Sequence, residues 1–349
     1  MFDGLKATVI FKRENLPKQI SFFSEIEVET AWLKEGSYKK GEFEIYKLEL
    51  FECKNRKEVR LNITGSFHKN NQNGSNFKPF TFENLKSEIL HLCQSLNIEP
   101  EEIILQNLEI GLNLPVWFKP FLFLDSGLLA FQNSEFKKYD PDKQGRVIGL
   151  YCKKTDYTIK IYDKGFQFDL QQELLRFEIK FNKMRELKKF GIATLADLTD
   201  ERKVNQLLSL LERAWSEVLI NEIQNLPPDL NDSQMRFLEV CRYKDYWYKL
   251  NKESNQKFRD AKRRFKELSA KFGSGIHSKI LELIRIEWGK RFENSTDFTG
   301  RKPEDPTTDF TDFTNTVKSE MREPSSCFRQ CSDPRPERFF RFENTPRIA

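Results

Sequence analysis

A tyrosine flanked by two lysines is the feature of the sequence that most directly suggests chemistry. In the stretch YTIKIYDKG, Lys160, Tyr162 and Lys164 occupy alternate positions, so a β-strand here would carry all three on one face. The neighbouring isoleucines would lie on the opposite face. A phenol becomes a better nucleophile when cationic neighbours favour its phenolate form. Tyr162 is therefore a candidate nucleophile, with Lys160 and Lys164 as its catalytic neighbours.

Two further segments place carboxylates on a polar strand face. QNLEIGLNL and LLRFEIKF alternate between apolar and polar residues, which puts Glu109 and Asn113 on the polar face of the first and Glu178 on that of the second. Two carboxylates are suitable ligands for one hard divalent cation, Mg²⁺ or Mn²⁺, and Asn113 and His68 are further candidate metal ligands. A sheet with one solvated face produces the same alternation without any site.

Two other tyrosines compete with Tyr162 as the candidate nucleophile. Tyr157 falls on the same strand parity as the isoleucines, which favours a packing role. Tyr151 lies in the short strand-like segment VIGLYCKK and could reach the same surface as Tyr162. The sequence favours Tyr162, whose own strand places it between the lysines, but both alternatives stay open at this stage.

The segments that carry these residues belong to a strand-rich first half of the chain. Period-two alternation predicts strands in GEFEIYKLELFEC, VRLNITGSFHK, IILQNLEIGLNL, VIGLYCKK, YTIKIYDKG and ELLRFEIKFNK. Helical periodicity predicts a helix in FTFENLKSEILHLCQSL and dominates the chain after about Met184. The combination predicts an α+β fold: an antiparallel sheet with helices on its apolar face, followed by a helical C-terminal region.

Changes in composition divide the chain into three predicted parts. A sheet domain covers residues 1–190, a helical region covers 191–294, and a disordered tail covers 295–349, where prolines gather among Ser, Thr, Asp and Arg. The helical region carries a run of cations, for which a solvated helix face is the ordinary explanation and nucleic-acid binding the alternative. The candidate DNA-binding residues are Arg176, Lys180, Lys257, Arg259, Lys262, Arg263, Arg264 and Lys266.

Charge and composition are compatible with several classes of protein. The net charge of +5 is compatible with a nucleic-acid partner and does not establish one. The six cysteines form no CxxC pair, which predicts reduced thiols in a cytoplasmic protein. The sequence shows no signal-peptide pattern and no apolar run of membrane-spanning length, so no membrane association is expected. It also lacks a glycine-rich ATP-binding loop.

The order of these segments resembles the replication proteins of the filamentous-phage gene II type. In that family an R-F-E strand is followed by a basic stretch, F-G and a leucine-rich helix, as in LLRFEIKFNKMRELKKFGIATLADL. LNITGSFHKNNQNGSNFKPFTFENL resembles the upstream strand, polar loop and helix start, and LQNLEIGLNLPV lies where the family has an I-D or L-E strand. YTIKIYDKG matches the tyrosine strand. The resemblance covers about residues 58 to 220.

The resemblance implies a nicking enzyme that starts rolling-circle replication of a phage or plasmid. Members cut one strand of origin DNA, stay attached to the 5′ phosphate through a tyrosine, and later rejoin the ends. Carried over by position, Tyr162 is the nucleophile, Lys164 its neighbour, and Glu109 and Glu178 the metal-site candidates. A host helicase and polymerase would be the partners. The wider superfamily is named for a His-hydrophobe-His strand, and this sequence has no such pair, which leaves the ligand set open.

Two other functions remain compatible with the sequence. A non-catalytic origin-binding protein or repressor would need the basic helices and not the glutamates. A relaxase that mobilises a plasmid would use the same tyrosine chemistry on a different biological substrate. Metal-dependent nicking separates the first of these from the enzyme.

Overall fold

The computed structural model describes six segments of the chain: residues 2–12, 29–33, 36–53, 58–139, 148–223 and 226–293, with only the backbone described in 29–38 and 52–53. The predicted disordered tail, residues 295–349, lies outside the described residues. None of the described helices is both long and apolar enough to cross a membrane.

A ten-stranded antiparallel sheet forms the centre of the described structure. Its strand order is β2-β3-β4-β5-β1-β6-β11-β10-β9-β8, and β7 and β12 form a separate two-stranded sheet. The predicted α+β class with an antiparallel sheet is confirmed. The strands are β1 (Phe2–Lys12), β2 (Glu29–Leu33), β3 (Gly36–Phe43), β4 (Tyr46–Cys53), β5 (Glu58–Ser66), β6 (Ile104–Pro115), β7 (Leu128–Phe131), β8 (Lys137–Lys138), β9 (Gly149–Lys153), β10 (Tyr157–Asp163), β11 (Leu174–Phe181) and β12 (Val218–Ile220).

Strand β1 is central to the sheet, but the strands predicted from the sequence did not include Phe2–Lys12. It pairs with β5 on one side, where Thr8 faces Asn62, and with β6 on the other, where Leu5 faces Leu108. Leu5, Ala7, Val9 and Phe11 alternate along it and are buried. This apolar periodicity is the signal that predicts the strand.

Two of the predicted strands are interrupted. The segment GEFEIYKLELFEC forms the hairpin of β3 and β4, because Glu44 adopts a φ of 51° at the turn. Strand β10 ends at Asp163, whose side chain accepts a hydrogen bond from the backbone N–H of Phe166 at 2.8 Å. An N-cap of this kind starts a helix. The prediction that Lys164 lies on the same strand as Tyr162 is therefore wrong, since Lys164 begins a short helix.

Helices pack on the apolar face of the sheet and continue into the C-terminal region. Trp215 lies edge-on against Phe177 of β11, with ring centroids 5.3 Å apart. The predicted helix over the leucine-rich segment is broken into shorter pieces, followed by β12. The helices are α1 (Phe67–Asn71), α2 (Phe82–Leu96), α3 (Pro120–Leu122), α4 (Lys164–Gln167), α5 (Arg185–Lys188), α6 (Glu201–Asn205), α7 (Leu208–Ser216), α8 (Asp232–Cys241), α9 (Lys244–Glu253), α10 (Asn255–Phe272) and α11 (Ile276–Gly289).

Buried apolar side chains form two clusters. The larger one joins the sheet to α2, α7 and α11, so Trp215 and Trp288 belong to the same core as the strands. The smaller one lies among β7, β12 and helices α8 to α10, with Trp247 at its centre. The polar face of β6, β11 and β10 is thus left to carry the candidate site.

Candidate functional site

The strand register brings the predicted site residues together on one face of the sheet. Strand β11 lies between β6 and β10, and Lys160 of β10 is paired with Glu178 of β11. Tyr162 is paired with Arg176 in the same ladder. The hydroxyl of Tyr162 donates to Glu178, and the Nζ of Lys160 lies near both Glu178 and Glu109. The prediction that Glu109, Tyr162 and Glu178 share one face is confirmed.

The two glutamates are bridged by a lysine. The Nζ of Lys160 lies 2.6 Å from Oε1 of Glu178 and 3.2 Å from Oε1 of Glu109. The Nζ of Lys180 lies 2.8 Å from the same Glu109 oxygen. Burial lowers the pKa of Lys160, but the two carboxylates outweigh burial and raise it above its usual range. Lys160 therefore remains a cation between the carboxylates.

The environments of the two glutamates push their pKa values in opposite directions. Burial raises the pKa of Glu178, but the cations of Lys160 and Arg176 outweigh burial and hold it well below its usual range. Burial, followed by repulsion from Glu178, raises the pKa of Glu109 despite Lys160 and Lys180. Glu178 is thus the anion of the pair, and Glu109 is the carboxyl that takes up a proton more readily.

A buried arginine connects three strands below the glutamates. Only 1% of Arg176 is exposed. Its Nε donates to Glu178 Oε2 at 3.3 Å, and its two terminal nitrogens donate to Asn113 Oδ1 at 3.0 Å and Asp3 Oδ2 at 3.3 Å. A buried guanidinium satisfied on three sides holds its acceptors in fixed positions. Arg176, predicted to bind DNA, lies inside the cluster and organises it.

Two glycines provide the space that these side chains occupy. A methyl group on Gly111 would lie 3.0 Å from the guanidinium nitrogens of Arg176, and one on Gly4 would lie 2.6 Å from Cδ of Glu109. Side chains there would displace the charged groups. The Glu109 carboxyl is consequently held against the backbone of β1.

The hydroxyl of Tyr162 donates to Oε2 of Glu178 over 3.3 Å. The tyrosine is half-buried. Burial, and then the negative charge of Glu178, raise its pKa well above the usual value, with Arg176 opposing. The expectation that flanking lysines favour the phenolate is not met in this arrangement, because the Lys160 ammonium is engaged by the carboxylates. The phenol instead has a carboxylate within reach as a proton acceptor.

Lys164 is an amine buried beside the tyrosine. Its Nζ donates to Asn76 Oδ1 at 2.5 Å and to Gln167 Oε1 at 3.0 Å, and it lies 5.4 Å from the ring centroid of Tyr162. Burial, and then Arg176, lower its pKa to about 7, while nearby carboxylates oppose the shift. Lys164 therefore changes its charge near neutral pH.

Asp3 and Asn76 belong to this cluster and were missed in the sequence. Asp3 accepts hydrogen bonds from Ser66 Oγ at 2.6 Å and from Asn76 Nδ2. The Asn113 side-chain nitrogen donates to the backbone oxygen of Asn76 at 3.1 Å. Asp3 shares the parity of the apolar Leu5 and Ala7, and a register shift between Phe2 and Leu5 separates it from their alternation, so local periodicity did not point to it. Nothing in the polar loop distinguishes Asn76 from its neighbours.

The two auxiliary metal-ligand candidates have other contacts. Asn113 Oδ1 accepts from Arg176, so this oxygen is already used. His68 lies in α1, stacked on Phe80, with its Nε2 2.9 Å from the backbone oxygen of Lys78. Its Nδ1 is buried without a hydrogen-bond partner in the described part of the chain. Burial lowers the pKa of His68. The predicted strand VRLNITGSFHK, which included His68, ends earlier, because Ser66 is the last residue of β5 and caps α1.

A divalent cation does not fit the donors as they are arranged. Among the described residues, no three His, Cys, Asp or Glu side chains are grouped closely enough to hold a metal ion. Glu109 and Glu178 are adjacent, but their oxygens are engaged by Lys160, Lys180 and Arg176. A metal would have to displace Lys160 from both carboxylates. The Mg²⁺ or Mn²⁺ site stays a prediction.

The competing tyrosines occupy distinct positions. Tyr157 packs against Phe131 and Phe181, and its hydroxyl accepts from Gln132 Nε2 at 3.2 Å. The expected packing role of Tyr157 is confirmed. Tyr151 of β9 is paired with Lys160 of β10. The ring centroids of Tyr151 and Tyr139 lie 5.1 Å apart.

Tyr139 is a further tyrosine near the site, and no pattern in the sequence pointed to it. A methyl group on Gly149 would meet both Tyr139 and the Cβ of Tyr162 at 2.7 Å. The two tyrosines therefore lie on either side of Gly149. Burial raises the pKa of Tyr139, as it does for Tyr162.

The basic run on α10 is divided between outward and inward side chains. Lys257 and Arg263 are 68% and 74% exposed. Lys262 instead pairs with Glu217 at 2.7 Å, with only 15% of its side chain exposed. The remaining cations are Arg259, which is exposed; Arg264, which lies over the ring of Phe237; and Lys266, which donates to the backbone oxygen of Ser216.

No family model matches the chain, and no curated protein matches it. One similar solved structure is a rolling-circle replication initiator protein from Geobacillus stearothermophilus, with 14% identity and a TM-score of 0.36, covering 69% of this chain and 96% of that chain. At this TM-score the overlap is too loose to establish a shared fold.

Proposed function

We propose that this protein is a DNA replication initiator that nicks one strand at an origin through a covalent link between Tyr162 and a 5′ phosphate. The observation that carries the proposal is the Tyr162 hydroxyl, which donates to a carboxylate inside a cluster of buried cations. The resemblance of YTIKIYDKG to the tyrosine strand of the gene II type replication proteins supports the same assignment. The replicated element is a phage or plasmid, and a host helicase and polymerase complete the reaction.

The two glutamates supply the acid and the base of the proposed reaction. Glu178, the more acidic of the pair, accepts the phenolic proton through the oxygen that Tyr162 already contacts. The phenolate oxygen bonds to phosphorus, and the bond between phosphorus and the 3′ oxygen breaks. Glu109, whose pKa is raised, gives a proton to the leaving 3′ oxygen. Opposite pKa shifts in one carboxyl pair are the pattern expected of an acid and a base.

The cations of the cluster interact with the phosphate. Lys160 and Lys180 lie at the more exposed side of the site, where the phosphodiester would enter. They offset the charge that develops on the non-bridging oxygens. The bond to tyrosine remains a phosphodiester, so the reverse reaction reseals the strand without ATP.

The test is an assay of nicking and adduct formation on supercoiled DNA that carries the sequence flanking this protein's reading frame. Tyr162→Phe should abolish both the nick and the protein–DNA adduct on a denaturing gel. Tyr157→Phe is the matched control, because that tyrosine packs on the opposite face, and it should react like the wild type.

The rival functions give different results in the same assay. A non-catalytic origin-binding protein or repressor would bind the DNA and form no adduct under any condition. A mobilisation relaxase would form the adduct at a transfer origin, and the position of the nick identifies which origin is used.

A further inference from the structure

We propose that the Lys160 ammonium is the resident counter-cation of Glu109 and Glu178, and that the site transfers the phosphodiester without a divalent metal ion. This inference rests on the proposed function for its catalytic part. The other part, that the two glutamates do not form a metal site, does not depend on the reaction.

The carboxylate oxygens of Glu109 and Glu178 already contact cationic side chains. Both Glu178 oxygens are taken, Oε1 by Lys160 at 2.6 Å and Oε2 by Arg176 and Tyr162 at 3.3 Å each. Oε1 of Glu109 is shared by Lys160 and Lys180. Lys160 thus lies where a bridging metal would have to bind, within hydrogen-bond distance of an oxygen of each glutamate.

The charges of the site are already balanced by its own side chains. Sites for Mg²⁺ or Mn²⁺ rely on carboxylates that the metal itself neutralises. With all three carboxyl groups ionised, the positive side chains outnumber the carboxylates when Lys164 is protonated and equal them when it is neutral. Protonation of Glu109, the proposed acid, leaves a further excess of positive charge. A phosphodiester anion therefore meets a surface that is not negative before any metal arrives. The carboxylates are Asp3, Glu109 and Glu178, and the cations are Lys160, Lys164, Arg176 and Lys180.

Neighbouring groups restrict the movement of both glutamate side chains. The Glu109 carboxyl lies directly against the backbone of Gly4 in β1, where an added methyl group would lie 2.6 Å from its Cδ, so the strand blocks its movement in that direction. Arg176, which is itself buried, holds Glu178 from the other side. Neither carboxylate is therefore placed to turn away from Lys160 toward an incoming ion, and the lysine would have to leave first.

The direct test measures Mn²⁺ binding by electron paramagnetic resonance, without DNA. The wild type should show no site tighter than millimolar. Lys160→Gln should gain affinity for Mn²⁺ by about tenfold or more, because the competing unit charge is removed from both carboxylates. Lys180→Gln is the matched control, since it removes an equal charge that touches Glu109 alone, and its gain should be smaller.

The result that would overturn the inference is micromolar Mn²⁺ binding by the wild type that Glu109→Gln and Glu178→Gln both abolish. The wild-type measurement decides the matter even if Lys160→Gln does not fold. Lys160→Arg, which keeps the cation, should bind Mn²⁺ no better than the wild type.

The catalytic part is tested by adduct formation in EDTA against added Mg²⁺ or Mn²⁺. The adduct should form in EDTA at a rate within a fewfold of that with metal. An adduct that forms only with metal would overturn the inference and leave the proposed function standing. The absence of an adduct under every condition would overturn the proposed function. The Mn²⁺ measurement would still decide whether Lys160 or a metal ion neutralises Glu109 and Glu178.

Discussion

At the residue scale, the site depends on the unequal roles of two carboxyl groups. Glu109→Gln and Glu178→Gln each remove one proton-transfer group while keeping the side-chain shape. Each should slow adduct formation by about 10²- to 10⁴-fold, the usual contribution of general acid–base catalysis. DNA binding, followed by fluorescence anisotropy, should change little. Adduct formation at the wild-type rate by either variant, with an unchanged melting temperature, would remove that carboxyl from the mechanism.

Lys164 makes a separate prediction about pH and stability. Its pKa is lowered to about 7 in the folded protein, against about 10.4 in an unfolded chain. Between these values the unfolded state binds the proton and the folded state does not, so this lysine makes the free energy of unfolding rise with pH. The rise is at most about 1.4 kcal/mol per pH unit.

Lys164→Met is the variant that isolates this effect, because it keeps the length of the side chain and removes the titrating amine. Urea unfolding between pH 7 and 9 should show a smaller rise of stability for Lys164→Met than for the wild type. Equal pH dependence in the two proteins would mean that the buried amine does not titrate in this range.

At the element scale, the alternation of the strands predicted much of the site. QNLEIGLNL, YTIKIYDKG and LLRFEIKF became β6, β10 and β11, and their polar faces meet as expected. Period two fixes which side of a strand a residue occupies, but it carries no information about which strands are neighbours. The contribution of β1 and Asp3 depends on that long-range pairing and could not be found from local periodicity.

Helix ends account for the other differences. Lys164 and His68 continue the polar parity of their strands in the sequence, yet both lie in helices because Asp163 and Ser66 cap the turns that follow. The sequence also predicted the wrong direction for the pKa shift of Tyr162, which is raised and not lowered. A lysine beside a phenol favours the phenolate only when its ammonium is not already paired with an anion. The strand register places the Lys160 ammonium in ion pairs with Glu109 and Glu178 instead.

Helix α10 offers a prediction about DNA binding. Its outward cations, Lys257, Arg259 and Arg263, are exposed enough to reach a phosphate backbone, whereas Lys262 is engaged with Glu217. If an outward cation binds a phosphate, its change to Gln should reduce the slope of log affinity against log salt by about 0.9. Lys262→Gln should lower the melting temperature of the protein and leave the slope of log affinity against log salt nearly unchanged. If the slope of log affinity against log salt is unchanged when Lys257, Arg259 and Arg263 are all replaced by Gln, this face of α10 is solvated and does not bind DNA.

At the scale of the whole molecule, the sheet and the C-terminal helices share one core. Trp215, Ile280, Ile284 and Trp288 are buried in the same cluster as the strands. A fragment of residues 1–190, the predicted sheet domain, would expose the apolar face that these side chains cover. It should aggregate or lack a cooperative thermal transition by circular dichroism, whereas residues 1–293 should unfold cooperatively. A folded 1–190 fragment would show that the boundary predicted from the sequence marks an independent domain.

The central claim is that Tyr162 forms a covalent bond with DNA, and mass spectrometry of the adduct tests it most directly. The wild-type protein is reacted with flanking DNA, digested with nuclease and protease, and the nucleotide-bearing peptide is sequenced. We expect the nucleotide on Tyr162, in the peptide that continues into Asp163. A nucleotide on Tyr139, Tyr151 or Tyr157, or the absence of any modified peptide from a protein that binds the DNA, would contradict it.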